Sequence, residues 1–331
     1  MEAARRGDDH AYRTIVGLHR GALHAHCYRM LGSVSDADDA LQEALLHAWR
    51  GLPGFEGRSS LRSWLYRIAT NVCLKVIERR PRRVLPVDHG PAAGPHDRPA
   101  EPLVESVWID PYPEELLGPE PDATAPGARY EQRESVELAF IAALQHLPPR
   151  QRAVLILRDV LGFSGAEVAR VLETTPASVS SALQRAHRSV DERLPEVSQQ
   201  ATLRAIGDAA LRDVVRGYVD AWERADVDAV VAMLTDDVRM AMPPIPTWYG
   251  GRDAVAAFLR GWPLADGPRW RVLPTAASAQ PAFGHYLWDD ATSRYAPHGV
   301  NVLTLRGARI CEITAFLTPA AFARFGLPDR P

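Results

Sequence analysis

The sequence has few cysteines and no long apolar run. Its three cysteines, Cys27, Cys73 and Cys311, lie far apart among 331 residues without paired spacing. That spacing indicates neither a disulfide framework nor a zinc ribbon, so we expect buried free thiols. No stretch reaches the roughly 18 consecutive apolar residues that a membrane-spanning helix needs, and residues 1–9 are rich in charge. We therefore expect a cytoplasmic protein without membrane contact.

The sequence also lacks the common motifs of catalysis and cofactor binding. It contains no glycine-rich phosphate loop, no nucleophile elbow and no His-Glu-x-x-His helix. His24, His26 and Cys27 are close together, but helical spacing would spread them around a helix. We therefore predict no metal site and no cofactor.

The formal net charge of −3 conceals a strong local asymmetry. Residues 11–83 have helical periodicity throughout, and Ser35 followed by Asp38 predicts a capped helix with an acidic face. The next helix, capped at Ser59-Ser60, has a basic face beside aromatic side chains, which suits phosphates and unpaired bases. A solvated arginine face is the alternative. The basic residues are Arg58, Arg62, Arg67, Lys75, Arg79, Arg80, Arg82 and Arg83.

Residues 84–129 have the composition of a linker. Prolines recur along this stretch, and acidic residues replace the arginines. One apolar island, residues 107–112, is more than a disordered tether needs. It predicts a short docking segment, with a chance cluster as the alternative.

Helical periodicity returns at residues 130–194 and ends in a helix-turn-helix. Ser164 with Glu167 predicts a capping box, and Thr175 with Pro176 predicts the start of a second helix. An exposed second helix of this kind fits the DNA major groove. A polar helical hairpin without DNA contact is the alternative. The residues that would face DNA are Ser178, Ser180, Ser181, Gln184, Arg185 and Arg188.

Beyond residue 199 the pattern predicts an independent α+β domain. Two helices are followed by four strand-like runs with antiparallel character. A turn at Gly307 joins the last two runs. The runs cover residues 272–279, 282–288, 300–305 and 309–316.

Three segments resemble the extracytoplasmic-function sigma factors of bacterial RNA polymerase. Residues 36–49 (DADDALQEALLHAW) resemble the helix of that family that binds the polymerase clamp. Phe55 and residues 61–71, with the basic end Arg79-Arg80, resemble its segment that reads the minus-ten element. Residues 146–152 and the helix-turn-helix resemble its minus-thirty-five domain.

The resemblance implies roles for individual residues. Basic residues usually stand in this family where this chain has Ser180, Ala182 and His187, so its grip on the upstream element is expected to be weaker or differently specified. Clamp binding is implied for Asp38, Asp39, Leu41, Gln42 and Glu43. Minus-ten binding is implied for Arg62, Trp64, Arg67, Asn71, Lys75, Arg79 and Arg80, and minus-thirty-five binding for the helix-turn-helix residues given above.

The C-terminal part resembles the SnoaL-like branch of the NTF2-like cone fold. The residues that carry this likeness are Trp222, Asp226, the predicted turn at residues 234–238 and residues 249–255. Cone folds enclose an apolar pocket that could take a small-molecule ligand. Some relatives use Asp or His there for proton transfer, but no pair here has a spacing that demands catalysis, so we predict no enzyme. The candidates are His285, Asp289, His298 and Asp253.

Together these likenesses imply a multidomain chain of two all-α sigma domains and an α+β NTF2-like cone. The implied function is a sigma factor that binds the clamp and flap of core RNA polymerase and directs initiation at promoter DNA. Its C-terminal domain would modulate that activity by contact. The alternative is a polymerase-independent DNA-binding regulator with a ligand-sensing or enzymatic C-terminal domain. The expected limits are 8–83, 84–129, 130–196 and 200–331.

Overall fold

The computed structural model describes residues 2–57, 59–103, 107–117 and 134–331. Arg58 and the expected domain start at Tyr130 lie outside the described residues. The chain divides into two compact units. Unit 1 comprises Met1–Arg83 and Glu115–Pro195, and unit 2 comprises Val84–Glu114 and Glu196–Pro331. None of the helices in the described part of the chain is long and apolar enough to cross a membrane.

The first half of unit 1 is helical, as expected. Ser60 caps α4 by accepting a hydrogen bond from the amide of Ser63, which confirms the predicted start. The predicted cap at Ser35 is wrong, because Ser33 has the extended backbone of a cap and accepts from the amide of Asp36. Ser35 already lies inside the helix. The helices are α1 (Asp9–Gly17), α2 (Arg20–Leu31), α3 (Val34–Gly51) and α4 (Leu61–Ile77).

Helix α2 packs against both α3 and α4 and is buried along most of its length. Cys27 on α2 and Cys73 on α4 are both 0% exposed, and all three cysteines are free thiols. The expectation of unpaired thiols is confirmed, although Cys311 is only partly buried. A buried central helix of this kind fixes where the outer faces of α3 and α4 point.

The second half of unit 1 contains the helix-turn-helix. Ser164 and Glu167 form the predicted capping box, and Thr175 caps the last helix with Pro176 at its first position. Both predictions are confirmed. The helices are α5 (Leu138–Gln145), α6 (Pro149–Leu155, continued by a wider π-helical turn over Ile156–Val160), α7 (Gly165–Val171) and α8 (Pro176–Asp191).

The described residues of unit 2 form a six-stranded sheet with three main helices, a short helix at Pro86–His89 and a 3-10 helix at Pro319–Phe325. Its strand order is β2-β1-β6-β5-β4-β3, and the strands are antiparallel except for the parallel pair β1 and β6. The helices are α9 (Gln199–Glu223, bent at Gly207), α10 (Val227–Ala232) and α11 (Arg252–Gly261). The strands are β1 (Leu234–Met242), β2 (Ile245–Gly250), β3 (Trp270–Ala277), β4 (Gln280–Asp289), β5 (Arg294–Arg306) and β6 (Arg309–Phe316).

The sheet corrects one sequence prediction and confirms another. Residues 234–238 are the beginning of β1 and not a turn, because Leu234 and Val238 are buried in the core. The four predicted runs form β3 to β6 and are antiparallel as expected, whereas β1, which was not among them, lies parallel to β6. The β5–β6 hairpin with its turn at Gly307 agrees with the prediction.

Residues 84–103 and 107–114, which belong to unit 2, pack on its sheet and cover both of its open edges. At the β2 edge, the amide of Ala93 donates to Trp248 O at 2.9 Å. At the β3 edge, Tyr112 and Ser278 exchange two hydrogen bonds. Ile109 and Tyr112 are 0% exposed, which agrees with the predicted docking segment. Covering an edge in this way satisfies backbone groups that would otherwise pair with another chain.

Candidate polymerase and nucleic-acid interface

Helix α3 presents a polar face, defined here as the clamp-like face: Asp38, Asp39, Gln42 and Glu43. All four side chains are exposed. Leu41, which was also predicted to bind polymerase, is only 2% exposed and packs in the core. That prediction needs correction, because Leu41 points along the apolar stripe of α3 and holds the helix in place. The remaining face is acidic and suits a basic partner surface.

Three further contacts fix the beginning of α3. Asp36 is buried, and its carboxylate accepts hydrogen bonds from Arg80 and from Arg83, the latter at 2.5 Å. His24 Nε2 lies 3.2 Å from Asp38 Oδ1 at the edge of the clamp-like face. Charge pairing at the first turn of a helix also suits the helix dipole. Arg80, predicted to bind DNA, is thus held beside α3.

The basic face of α4 is covered in part by the second half of unit 1. Arg62 Nη2 donates to Leu161 O at 2.8 Å, and its guanidinium lies 4.2 Å from the ring centre of Phe163. Arg67 forms an ion pair with Glu173 at 2.6 Å. The ring of Tyr66 meets Phe163 edge-on at 5.4 Å. The two arginines predicted to bind DNA are therefore engaged by the helix-turn-helix domain.

The rest of the α4 face is open. Trp64 is half-buried and packs against Phe55, with 5.0 Å between the ring centres. Asn71, Lys75 and Arg79 are exposed along the same helix and its end. Aromatic and cationic groups in this arrangement can stack on unpaired bases and bind phosphates.

Sequence reasoning missed two buried arginines that join the halves of unit 1. Arg29 on α2 donates from Nε to Ser135 Oγ at 2.9 Å. Arg152 on α6 donates to Met30 O, and to Gln145 Oε1 at 2.6 Å. Both side chains are less than 5% exposed. The only available signal was that each arginine interrupts an apolar stripe of its helix.

Helix α8 presents all six residues predicted to face the upstream element. Ser178 and Ser180 use their hydroxyl groups locally, with Thr175 Oγ1 at 2.9 Å and with Pro176 O at 3.1 Å. His187, which stands where the family often has arginine, pairs with Asp159 at 2.5 Å. The residues whose side chains extend to solvent without such local bonds are Ser181, Gln184, Arg185 and Arg188.

The interior of unit 2 contains a cluster of histidine and aromatic side chains. His285 is 2% exposed, and its ring centre lies 4.7 Å from that of Trp222 and 6.0 Å from that of Trp270. Asn301 Nδ2 lies 3.3 Å from His285 Nε2 and donates to the hydroxyl of Tyr218. Burial lowers the pKa of His285 to about 3. The imidazole is therefore neutral near pH 7 and acts as a packed, hydrogen-bonded core group.

The other catalytic candidates do not join this cluster closely. The ring of His298 lies edge-on to that of Trp270, at 5.1 Å between ring centres. Asp289 holds the turn after β4 by accepting from Ala291 N and Thr292 Oγ1, and Asp253 is exposed in the first turn of α11. The rings of His285 and His298 both lie near Trp270. The carboxylates of Asp253 and Asp289 lie outside this cluster. The described residues contain no group of three or more His, Cys, Asp or Glu that could hold a metal ion.

Three family models match the chain in the order of these parts. Residues 15–83 match sigma-70 region 2, and residues 137–189 match sigma-70 region 4. Residues 215–313 match the SnoaL-like domain. The first two cover the helical halves of unit 1, and the third covers most of the sheet of unit 2.

Curated relatives match over nearly the whole length. The ECF RNA polymerase sigma factor SigG of Mycobacterium tuberculosis is 41% identical over 327 residues, which are 98% of this chain and 85% of SigG. SigJ of the same species is 26% identical over 326 residues, covering 94% of this chain and 93% of SigJ. The crystal structure of M. tuberculosis SigJ matches with a TM-score of 0.59 at 23% identity, over 95% of this chain and 99% of that one, and supports the fold.

The buried His285 makes the stability of the chain depend on pH. Its pKa is about 3 in the folded chain and about 6.5 when unfolded. Between these values the unfolded chain binds a proton that the folded chain does not, so the free energy of unfolding falls as the pH drops. In urea denaturation between pH 4 and 6.5, we expect His285→Gln to reduce this dependence by up to about 1.4 kcal/mol per pH unit.

The exposed His96 provides the control. His96→Gln should leave the pH dependence of unfolding unchanged. An unaltered slope in His285→Gln would mean that the buried imidazole titrates normally in the folded chain.

Proposed function

This chain belongs to the extracytoplasmic-function RNA polymerase sigma factors, and from that membership we propose which of its surfaces bind polymerase and promoter DNA. The likeness to SigG over 98% of this chain carries this proposal. We assign the cytoplasm as its place of action and no catalytic reaction to any of its domains. The domain limits given under Sequence analysis remain a prediction. The relatives described above give no support to a polymerase-independent regulator.

We propose that the clamp-like face docks on core RNA polymerase. Four exposed polar side chains lie on one side of a helix whose opposite side is fixed in the core by Leu41. The helix is further held at its first turn by the Asp36 pairs with Arg80 and Arg83. A rigid helix that presents its charges in a fixed pattern loses little conformational entropy on binding.

We test this face by replacing Asp38, Asp39 and Gln42 with alanine together. Loss of two charges and an amide from the centre of the interface should weaken core polymerase binding at least tenfold, and runoff transcription should fall accordingly. The control removes two exposed acids from α9, by Asp208→Ala and Asp213→Ala. Equal binding by the triple variant and wild type would exclude this helix face as the docking surface.

For the minus-ten element we propose that α4 captures unpaired bases and that Trp64 provides the surface on which they stack. The residues near the DNA backbone would be Arg62, Arg67, Asn71, Lys75 and Arg79. In the free chain, Arg62 and Arg67 are instead bonded to Leu161 and Glu173. We call this the closed arrangement of unit 1. Promoter binding then requires the helix-turn-helix domain to leave α4, so the free chain has low affinity for DNA.

Breaking one contact of the closed arrangement should raise DNA affinity. Glu173→Gln removes the exposed ion pair with Arg67 and keeps the size of the side chain. An exposed pair contributes about 0.2–1 kcal/mol, so we expect up to about fivefold tighter binding of mixed-sequence single-stranded DNA, measured by fluorescence anisotropy.

Glu192→Gln removes the same charge from the exposed end of the helix-turn-helix domain. It controls for the general loss of negative charge. If both variants gained the same affinity, the Arg67 pair would not restrain DNA binding.

At the upstream element we propose that α8 reads the DNA as a duplex. Ser181, Gln184, Arg185 and Arg188 supply the outward polar groups, whereas the hydroxyls of Ser178 and Ser180 are already bonded within the helix. The grip of this helix alone is therefore weak. Linking it to the minus-ten domain on one chain makes its binding effectively intramolecular, which compensates for a weak contact.

We propose that unit 2 modulates initiation through the docked residues 84–103 and 107–114. Their attachment restricts the chain that joins the two sigma domains. Ile109→Ala removes a fully buried side chain from this segment, at a cost of about 2–5 kcal/mol to its docking. We expect more promoter-directed initiation from Ile109→Ala with unchanged core binding, relative to the exposed control Val197→Ala. Unchanged initiation would exclude this route.

A further inference from the structure

A pocket of about 410 Å³ lies between the two halves of unit 1, and we call it the seam pocket. One wall comes from the end of α4 and the residues after it. The other wall comes from the end of α5 and the beginning of α6. Its charged and titratable lining residues are Asp36, Arg80, Arg82, Arg83, His146 and Arg152.

The seam pocket carries an excess of positive charge. Four guanidinium groups line it against a single carboxylate, that of Asp36. Asp36 pairs with Arg80 and Arg83. Among the described residues, neither Arg82 nor Arg152 has an ion-pair partner. Burial lowers the pKa of Arg152 to about 10, and the charge of Arg82 acts in the same direction.

The remaining contacts of these two arginines are with neutral groups. Arg82 Nη1 lies 3.2 Å from His146 Nδ1, a contact that requires a neutral imidazole. The terminal nitrogens of Arg152 donate to the backbone oxygens of Met30 and Leu147 and to Gln145. Its Nε has no hydrogen-bond partner in the described part of the chain. The closed form of unit 1 thus places the like charges of Arg82 and Arg152 on facing walls of the seam pocket.

An apolar wall completes the seam pocket. Val76 and Ile77 line it on the side of α4, and Pro149 lines it on the side of α6. Guanidinium groups bind phosphate through two parallel hydrogen bonds, and an apolar wall can pack against a flat ring. The volume is within the range of small-molecule sites.

We propose that the seam pocket binds a nucleoside polyphosphate, whose phosphates accept hydrogen bonds from the guanidinium of Arg82 and from the unpartnered Nε of Arg152 and whose base lies on the apolar wall. Bound there, the ligand neutralises the repulsion across the seam and stabilises the closed arrangement. This effect rests on the proposed role of the closed arrangement, whereas the binding itself does not. Binding to a phosphate of the DNA backbone is the competing source of the same chemistry.

Isothermal titration calorimetry of the full chain tests the site without polymerase or promoter. The probes are ADP, ATP and inorganic pyrophosphate, with sodium sulfate at matched ionic strength. Loss of one charge-assisted phosphate contact in Arg82→Gln should weaken ADP binding about tenfold. Arg170→Gln removes the same charge from an exposed residue outside the pocket and should change ADP binding less than twofold.

Each of the following outcomes would overturn a different part of the proposal. No binding of ADP or ATP, or equal losses in both variants, would exclude the site. Pyrophosphate binding as tight as ADP would exclude the role of the apolar wall and so the nucleotide class. Displacement of ADP by equimolar duplex DNA would assign the arginines to the DNA backbone.

A second measurement tests whether ligand binding also stabilises the closed arrangement. We expect ADP to slow amide hydrogen exchange in residues 61–77, because those residues are covered when unit 1 is closed. Binding without slower exchange would retain the site and exclude its bridging effect. Failure of the chain to initiate transcription would leave both measurements unaffected.

Discussion

The closed arrangement of unit 1 depends on two buried guanidinium groups that cross between its halves. Arg29 reaches Ser135, and Arg152 reaches Met30 O. The two arginines donate to carbonyl and hydroxyl oxygens. A buried charge bonded to neutral dipoles recovers its hydration when the surfaces separate. Such a junction is specific in geometry but modest in net free energy, as the proposed reversible cover over the basic face of α4 requires.

The four arginines between residues 79 and 83 have four different environments. Arg79 is exposed, Arg80 pairs with Asp36, Arg82 lines the seam pocket, and Arg83 is buried against the same carboxylate. In the sequence these residues form one basic run. Folding divides the run because α4 ends at Ile77, and the following chain turns each side chain toward a different neighbour.

The local parts of the fold could be predicted because their signals are local. The Ser164–Glu167 capping box and the Thr175-Pro176 start depend on groups three residues apart. The Ser33 cap was missed because two serines near one helix start offer the same signal, and only the backbone conformation distinguishes them. Strand β2 and the parallel β1–β6 pair depend on partners distant in sequence, which periodicity does not reveal.

The candidate binding residues likewise divide into those that the sequence could predict and those that it could not. Exposure of Asp38, Asp39, Gln42 and Glu43 follows from the helical period, and so does the burial of Leu41, although family likeness had placed it among the contacts. The engagement of Arg62 and Arg67 could not be predicted, because it depends on residues about 100 positions away. No pattern within α4 distinguishes an arginine waiting for DNA from one already bonded to its own chain.

Residues 84–103 and 107–114 also constrain how this architecture can lose a domain. The chain passes from unit 1 into unit 2 after Arg83 and enters unit 1 again at Glu115. A stop codon after residue 199 would therefore remove the sheet and leave Tyr112 without its partner Ser278. Such a product would expose an apolar strand-forming segment to proteases and to other chains. The C-terminal domain is thus joined to the sigma domains by folding as well as by sequence.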